Sequence, residues 1–146
     1  MSRVNINFPE NIHYSDMQVV GIQDVNCRKH VGHDKLISML HEIRERFFDY
    51  IGKSEMDECP QGYILADLEV QYLGEAFFGD ELRFDLAVDE LSERSCNIYY
   101  RVSRVSDGAV TTPALIARAK TGVVFFDYES RKAIPVPRVV FRLWNP

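Results

Sequence analysis

The stretch QDVNCRKHVGHDKLISMLHEIRERFFDYIG, residues 23–52, decides the fold because a polar loop in it runs directly into a long helical pattern. Apolar residues in this pattern recur at steps of three and four, at Leu36, Met39, Leu40, Ile43, Phe47, Tyr50 and Ile51. That period predicts one amphipathic helix of roughly four to five turns, which ends at Gly52. A helix with so much apolar surface must pack against another layer of structure.

On both sides of the predicted helix the sequence indicates strands. Residues 13–25, HYSDMQVVGIQDV, predict a first strand, and residues 115–126 predict a long last one, with a hairpin turn at 106–108. Between them apolar residues alternate with polar ones, at Ile64, Ala66, Leu68, Val70 and Tyr72, then at Leu82, Phe84, Leu86 and Val88, then at Ile98, Tyr100 and Val102. Because short turns join these runs, we expect antiparallel strands in meander order, each with one face on the core.

The predicted fold class is therefore α+β, a curved antiparallel sheet of about five strands wrapped around one long helix. A length of 146 residues with 46% hydrophobic content suits one domain, residues 1–146. A net charge of −5 disfavours a nucleic-acid partner. The sequence has no apolar run long enough to cross a membrane and no signal-peptide core at its start, so we expect a cytoplasmic protein with no membrane partner.

Neither the cysteines nor the histidines indicate a metal site. Cys27, Cys59 and Cys96 are odd in number and show no CxxC spacing, which favours reduced thiols over a disulfide framework or a structural zinc site. His30 and His33 with an adjacent aspartate lack zinc spacing and a second cluster, so we predict no metal and no cofactor. A thiol nucleophile at Cys27 is disfavoured, since three residues of separation from His30 in a loop do not indicate contact.

The element order and the loop motif resemble the hotdog-fold acyl-CoA thioesterases, in particular the 4-hydroxybenzoyl-CoA thioesterase-like group, over residues 14–137. The family pattern is close to D-x-D-x-x-G-H-V-N-N, and E-x-x-R follows it on the helix. Asp24, the pair His30 and Val31, and Arg44 of HEIR, residues 41–44, match it. LEVQYLGEAFFGDELRF, residues 68–84, looks like the family's strand, bend and G-D turn.

The sequence departs from this pattern at several positions. Asn26 stands where many relatives have an aspartate that acts as nucleophile or base. Lys29 replaces a glycine, and Gly32 and His33 replace a pair of asparagines. The departures leave the expected fold unchanged and put the identity of the catalytic base in question.

The resemblance implies hydrolysis of an acyl-CoA, or acyl-carrier, thioester to a free acid and a thiol. It also implies a homodimer or homotetramer in which two subunits share an extended sheet and form the active site between them. Two alternatives remain open. One is a non-catalytic acyl-CoA binding module that kept the fold and lost its base, and the other is a dehydratase, although no second acid is placed to pair with the histidine.

Thioester hydrolysis needs donors for the carbonyl oxygen that becomes negative and a group that takes a proton from water. The amide groups at a helix N-terminus supply such donors, and the backbone N–H of His33 aligns with the family's oxyanion donor. Gly32 would let a substrate approach the main chain closely. Asn26 can orient a water molecule, but an amide cannot accept its proton near neutral pH.

Several groups are candidates for the base. His30 is the first, because an imidazole is partly in its basic form near neutral pH. Asp24 could hold that imidazole or replace it. His41 and Glu42 are further candidates, because another branch of the fold places a catalytic carboxylate on this helix; on a helical projection His41 falls near the edge of the apolar arc and Glu42 on its polar side. In the alternative reading, Asp24 and Asn26 are turn residues and Glu42 is a solvated charge.

The substrate's two ends suggest two further sets of residues. The coenzyme phosphates need basic partners at a subunit edge, for which the candidates are Arg101, Arg104, Arg118, Lys120 and Arg131, with Lys132 beside the last. Charges on a solvated sheet face are the alternative reading for most of them. The acyl group needs an apolar channel, and the bend offers Tyr72, Phe77 and Phe78 to line it.

Overall fold

The computed structural model describes residues 1–52, 61–106 and 109–144. Its strands are β1 (Tyr14–Val19), β2 (Gln61–Tyr72), β3 (Glu81–Asp89), β4 (Ser95–Ser106), β5 (Ala109–Asp127) and β6 (Lys132–Ala133). Its α-helices are α1 (His33–Gly52) and α2 (Arg138–Trp144), and a 3₁₀ turn spans Ile22–Asp24. Cys59 and residues 107 and 108 of the predicted hairpin lie outside the described residues. Within the described ranges, no helix combines the length and apolar character that a membrane span requires.

All strand pairs are antiparallel, and the strands lie in the order β1, β3, β4, β5 and β2, with β6 beside β5. The predicted sheet around one long helix is confirmed. The predicted meander is correct for β3 to β5 and wrong for β2, which pairs with β5 instead of β3. The reason is the bend at residues 73–80: the N–H groups of Leu73 and Gly74 donate to Ile116 O, and Val20 N–H donates to Asp80 O. This short segment therefore crosses the end of the sheet from β5 to β1.

Helix α1 packs its apolar face under the sheet. Its buried side chains include Leu36, Met39, Leu40, Ile43 and Phe47, and they form one cluster with inward-facing residues of β3, β4 and β5. Burial of this apolar area drives the packing of helix on sheet. Tyr50, predicted for the buried face, is 67% exposed. Its ring lies 5.3 Å from that of Tyr14, which itself contacts Phe47 inside the core, so Tyr50 covers the outside of this aromatic group.

Strand β2 is an edge of the sheet. Val70 of the predicted inner face does pack, partly buried, against the core. The expectation that this face packs on the core is wrong for Ile64 and Leu68, which are each at least 40% exposed, as is Leu65. A register shift between Leu65 and Asp67 breaks the alternation of the two faces. Among the described strands β2 pairs with β5 alone, which leaves one edge of its backbone unpaired.

The N-terminal segment before β1 crosses the outer face of the sheet. Ile6 is buried there, and its N–H donates to the side-chain oxygen of Gln71 on β2 at 3.1 Å. The ring of Phe8 lies 4.6 Å from the guanidinium carbon of Arg101 on β4. Because this segment covers charged residues of the outer face, it also shields part of the ion pairs there.

Asp85 is the buried anion of this outer face. Its carboxylate accepts hydrogen bonds from Ser15 Oγ at 2.7 Å, Arg83 Nε at 2.8 Å and Arg101 Nη2 at 2.9 Å. Burial by itself would raise the pKa of Asp85, but the hydrogen bonds from these three residues outweigh it and lower the pKa below its ordinary value of 3.8. The charged form is thus the one that the folded protein stabilises.

This geometry predicts an acid-dependent loss of stability. A carboxylate with a lowered folded pKa stabilises the fold fully above its unfolded pKa, and the stabilisation is lost as pH falls through the folded pKa. We expect Asp85→Asn to cost about 1–3 kcal/mol at pH 7 and to flatten the fall in unfolding free energy below about pH 4. Urea unfolding at a series of pH values checks this, with Glu129→Gln as an exposed control. A variant whose pH profile runs parallel to that of the wild type would contradict the prediction.

Candidate active site

The chain between β1 and α1 folds into a tight loop. The N–H of Asn26 donates to His30 O and the N–H of Lys29 donates to Asn26 O, each at 2.9 Å. Lys29 has a φ of 68°, in the left-handed region that favours glycine. This is the position at which the family pattern has glycine, so the loop keeps the glycine conformation with a lysine in its place.

Asp24 and Asn26 both take part in building this loop. Asp24 Oδ2 accepts a hydrogen bond from Gly21 N–H at 2.8 Å, and Asn26 Oδ1 accepts one from Arg28 N–H at 2.9 Å. These are the local bonds typical of turn residues. Within the described part of the chain, Asp24 makes no hydrogen bond to His30. Catalytic roles for Asp24 and Asn26 stay predictions, and Asn26 is exposed at the loop surface.

His30 lies between this loop and the bend that follows β2. It is half-buried, it pairs with Phe77 in an isolated antiparallel bridge, and its Nδ1 lies 3.2 Å from Val31 O. If Nδ1 carries the ring hydrogen, this contact is a hydrogen bond and Nε2 keeps a lone pair. In that tautomer the imidazole is held at Nδ1 and Nε2 is available as a proton acceptor.

Helix α1 begins immediately after this loop, at His33. Its first amide groups have no acceptor within the helix, and the helix dipole is positive at this end. Tyr72 donates its hydroxyl to His33 O at 3.2 Å, which ties the end of β2 to the first turn. Gly32 is buried, and a Cβ there would lie 2.8 Å from Asp34 Oδ1, so a larger residue would displace that carboxylate.

The bend at residues 73–80 completes this end of the molecule. Asp80 Oδ2 accepts a hydrogen bond from Phe77 N–H at 2.8 Å, and Gly79 has a φ of 85°. Phe77 and Phe78 are both exposed beside His30 and the loop. The structure therefore brings His30, Gly32, His33, Tyr72 and Phe77 to one end of α1.

His41 and Glu42 lie further along α1, about 12 Å from His33 at 1.5 Å per residue. Glu42 binds Arg46 at 3.4 Å, and Arg46 also contacts Asp16 on β1, so Glu42 lies on the β1 side of the helix. His41 Nε2 lies 3.7 Å from Glu45 Oε1 on the side facing β2. His41 and Glu42 therefore lie on different surfaces of the helix, His41 facing β2 and Glu42 facing β1.

A pocket of about 570 Å³ lies between α1 and strand β2. Its walls are apolar and its floor carries polar groups. Neither Asp24, Asn26 nor His30 lines it, whereas His41 does. The other lining residues on the helix are Ile37, Leu40, Arg44 and Glu45, and those on the sheet include Tyr63, Leu65, Leu68 and Thr121.

Arg44 is the polar centre of the pocket floor and is only 5% exposed. Its Nε donates to Tyr63 Oη at 2.9 Å and its Nη1 donates to Tyr100 Oη at 3.2 Å. Tyr100 Oη lies 2.8 Å from Thr121 Oγ1, and Tyr63 donates its hydroxyl to Glu45. Burial would lower the pKa of Arg44, but the two tyrosines outweigh it and raise the pKa, so the guanidinium stays charged.

In the sequence, Arg44 stands out only as the last position of a motif. A signal was nevertheless present, because Arg44 is eight residues after Leu36 and so lies about 80° from it on a helical projection, within the apolar arc. A charged residue inside an apolar arc indicates either a buried pair or a functional group. The sequence carried no corresponding indication that Tyr63, Tyr100 and Thr121 join Arg44 at the pocket floor. Strand pairing decides which hydroxyl groups meet the helix.

Five of the six basic residues predicted to bind coenzyme phosphates, all but Lys132, have a described partner inside the chain. Arg101 binds Asp85 at 2.9 Å, Arg104 binds Asp80 at 3.1 Å and Lys120 binds Asp67 at 2.9 Å. Arg118 donates to Ile6 O, and the Arg131 guanidinium lies over the ring of Phe126. Coenzyme binding by these residues stays a prediction. No group of three or more metal-ligating side chains occurs among the residues with described positions.

The chain is similar in sequence to proteins described as thioesterases and as a coenzyme A hydrolase. The family model of the thioesterase-like superfamily matches residues 20–142. A 1,4-dihydroxy-2-naphthoyl-CoA hydrolase from Microcystis aeruginosa is 28% identical over 105 residues, which are 70% of this chain and 71% of that protein.

Two solved structures illustrate the structural similarity. A 1,4-dihydroxy-2-naphthoyl-CoA thioesterase from Synechocystis has a TM-score of 0.73 at 20% identity, over 91% of this chain and 98% of that one. A mutant 4-hydroxybenzoyl-CoA thioesterase in complex with 4-hydroxybenzoyl-CoA has a TM-score of 0.75 at 22% identity, over 89% and 96% of the two chains. Both have the fold described above.

The loop geometry predicts that the Asp24 side chain is needed as a hydrogen-bond acceptor. Asp24→Ala removes the acceptor for Gly21 N–H at the start of the 3₁₀ turn, and we expect the free energy of unfolding to fall by about 1 kcal/mol. Asp24→Asn keeps a side-chain oxygen at the same position and should lose less than half of that. Urea denaturation of the two variants measures the difference. Equal losses would show that the charge of Asp24, and not its oxygen, is what the loop uses.

Proposed function

The chain belongs to the thioesterase-like superfamily, and from that premise we propose that it hydrolyses the thioester of an acyl-coenzyme A to a free acid and a thiol. The relative named above as a coenzyme A hydrolase supports this reaction class. The observation that carries the proposal is the N-terminus of α1, which opens beside a loop that fixes the imidazole of His30. Water is the second substrate, and every step proposed below uses groups of the chain itself.

In this proposal the backbone N–H of His33 binds the thioester carbonyl oxygen. Negative charge develops on that oxygen as water adds to the carbonyl carbon, and the positive end of α1 stabilises it. The buried Gly32 keeps side chains away from this approach. Tyr72 supports the arrangement from behind, since its hydroxyl holds the carbonyl of His33.

The proposed base is His30. With Nδ1 donating to Val31 O, Nε2 takes a proton from the attacking water and returns it to the departing thiolate as the C–S bond breaks. Asn26 has its side-chain oxygen engaged by Arg28 N–H, so the free group that it offers is the amide NH₂. We assign that amide the role of a hydrogen-bond donor to substrate or water, not of a base.

A second candidate function is acyl-CoA binding without hydrolysis. Asn26 favours it, because an amide stands where the family pattern has a carboxylate and its oxygen is already used inside the loop. Binding of an acyl-CoA at equilibrium, with no thiol released over hours, would support this function. Gain of hydrolysis by Asn26→Asp would show that the base position had been vacated.

We propose that two copies of the chain pair through β2. The unpaired edge of this strand and its exposed Ile64, Leu65 and Leu68 would be covered by the same strand of a second copy. Such pairing would extend the sheet across both subunits and bring the partner subunit beside the pocket. The active site would then combine the loop and α1 N-terminus of one subunit with the pocket of its partner. A dimer of such dimers would give the tetramer.

We further propose that the enzyme works in the cytoplasm as one domain, residues 1–146. Its described cysteines, the exposed Cys27 and the buried Cys96, are both free thiols. Burial raises the pKa of Cys96 to about 12, which makes that thiol unreactive. A reducing compartment suits such a protein.

The mechanism predicts that His30→Ala reduces the rate of thiol release about 10²- to 10⁴-fold, since the variant loses its general base. A panel of acyl-CoA thioesters, followed by colorimetric detection of the free thiol, measures kcat and KM. Cys27→Ser is the matched control, because it changes an exposed loop side chain three residues away, and it should retain the wild-type rate. Unchanged turnover in His30→Ala would overturn the role of His30, and His41→Ala would then be the next variant to measure.

The proposed β2 pairing predicts a mass in solution of at least twice the chain mass of 16.9 kDa. Leu68→Glu places a charge in the paired surface and should shift the population to monomer, because burying an unpaired carboxylate is costly. Ile12→Glu changes an equally exposed residue outside β2 and should leave the assembly intact. Sedimentation velocity separates the two outcomes. A monomeric wild type, or a Leu68→Glu variant that stays assembled, would contradict the pairing.

A further inference from the structure

The pocket between α1 and β2 has a buried positive charge on its floor. Arg44 is 5% exposed, and no aspartate or glutamate among the described residues forms an ion pair with it. The oxygens that it contacts belong to the hydroxyl groups of Tyr63 and Tyr100, which are formally neutral. A buried charge without a counter-charge is unfavourable, and proteins rarely keep one unless something else compensates it.

Part of the Arg44 guanidinium remains free to bind a ligand. Of its five N–H groups, the one on Nε and one on Nη1 donate to the tyrosines. Within the described part of the chain, Nη2 has no hydrogen-bond acceptor. Because Arg44 lines the pocket, its free N–H groups can reach a ligand in that space. Two such groups on one guanidinium match the two oxygens of a carboxylate.

The rest of the pocket suits a chain attached to that carboxylate. Ile37 and Leu40 from the helix and Leu65 and Leu68 from β2 give it apolar walls. Methylene or aromatic carbons would bury apolar area against these walls on the way to Arg44. Attraction between opposite charges is also stronger at such a low-dielectric floor than at the surface.

One charge nearby opposes an anionic ligand. Glu45 accepts the hydroxyl of Tyr63 and lies 3.7 Å from His41 Nε2, and it lies at the open side of the pocket with its side chain 54% exposed. Solvent screens its field, whereas the field of the buried guanidinium is not screened to the same degree. Glu45 should therefore weaken the binding of an anion without reversing it.

We propose that this pocket selects acyl groups that carry a second, anionic carboxylate, and that Arg44 is the residue that binds it. The substrate class is then the coenzyme A monothioesters of dicarboxylic acids. This inference rests on the proposed function for the thioester end of the substrate, and it adds the recognition of the other end. Arg44 is a specificity-determining residue in this scheme and has no role in the bond-breaking step.

The test compares matched substrates. Each pair consists of a dicarboxylic monothioester of coenzyme A and the methyl ester of its free carboxylate, over chain lengths from succinyl to sebacoyl. We expect wild-type kcat/KM to favour the charged member about 10- to 100-fold at the chain length that reaches Arg44, the ratio typical of a hydrogen bond to a charged group. Arg44→Met should bring that ratio close to one, and Arg44→Lys should keep part of it.

A second variant gives a change of opposite sign that a merely structural role for Arg44 would not produce. Glu45→Gln keeps an acceptor for Tyr63 and removes the negative charge, so it should raise the preference for the charged member several-fold. Circular dichroism checks the folding of each variant. If Arg44→Met does not fold, wild type and Glu45→Gln still decide the question. No preference at any chain length in the wild type, or a preference that survives in a folded Arg44→Met, would overturn the inference.

The two proposals fail in distinguishable ways. Absence of thiol release from every substrate would count against hydrolysis. Calorimetric titration with the same intact pairs would still measure whether the charged member binds more tightly and whether Arg44→Met removes the difference. Thiol release without any charge preference would leave hydrolysis standing and reject the role of Arg44.

Discussion

The packing of α1 against a single-layer sheet is the constraint on which the rest of the structure depends. The helix has 20 residues, and inward-facing side chains of β3, β4 and β5 cover most of its apolar face. Its position along the sheet fixes where its N-terminus emerges. That N-terminus then meets the loop after β1 and the bend after β2, both tied to neighbouring strands by backbone hydrogen bonds. The candidate active site is thus a consequence of how the core is packed.

Among the described residues of this interface, Arg44 is the buried side chain that carries a charge. Arg44 lies among apolar helix residues, and tyrosine hydroxyls from β2 and β4 satisfy only part of its hydrogen-bonding capacity. A leucine in its place would pack well in such a setting, so stability alone does not account for an arginine. Its location on the floor of an open pocket gives the charge a use in substrate selection. One face of α1 therefore does two things: its apolar residues pack the core, and Arg44 on the same face binds the ligand.

Much of the fold could be predicted from the sequence because local periodicity determines it. The steps of three and four in α1 and the alternation in β3 and β4 were sufficient, and the loop motif identified the family. The position of β2 could not be predicted, because the rule that short connections join neighbouring strands fails where residues 73–80 cross the end of the sheet. Tyr50 lay within the apolar arc, yet it is exposed because Tyr14 fills the space beneath it.

The candidate site was predictable to a smaller extent. The residue types of the loop indicated a catalytic role near the helix N-terminus. Whether Asp24 and Asn26 hold substrate or hold the loop depends on hydrogen bonds that form only in the folded chain. The pocket floor was harder still to predict from the sequence. Arg44 and Tyr100 are 56 residues apart, and they meet only because strand pairing brings them together.

A crystal structure with an acyl-CoA analogue, in which a methylene group replaces the thioester sulfur, tests the central claim most directly. The claim is that the N-terminus of α1 holds the reacting carbonyl. The predicted result is a carbonyl oxygen about 2.7–3.1 Å from the backbone nitrogen of His33, with the imidazole of His30 facing the carbonyl carbon. A carbonyl bound elsewhere, with the first turn of α1 unoccupied, would contradict the account.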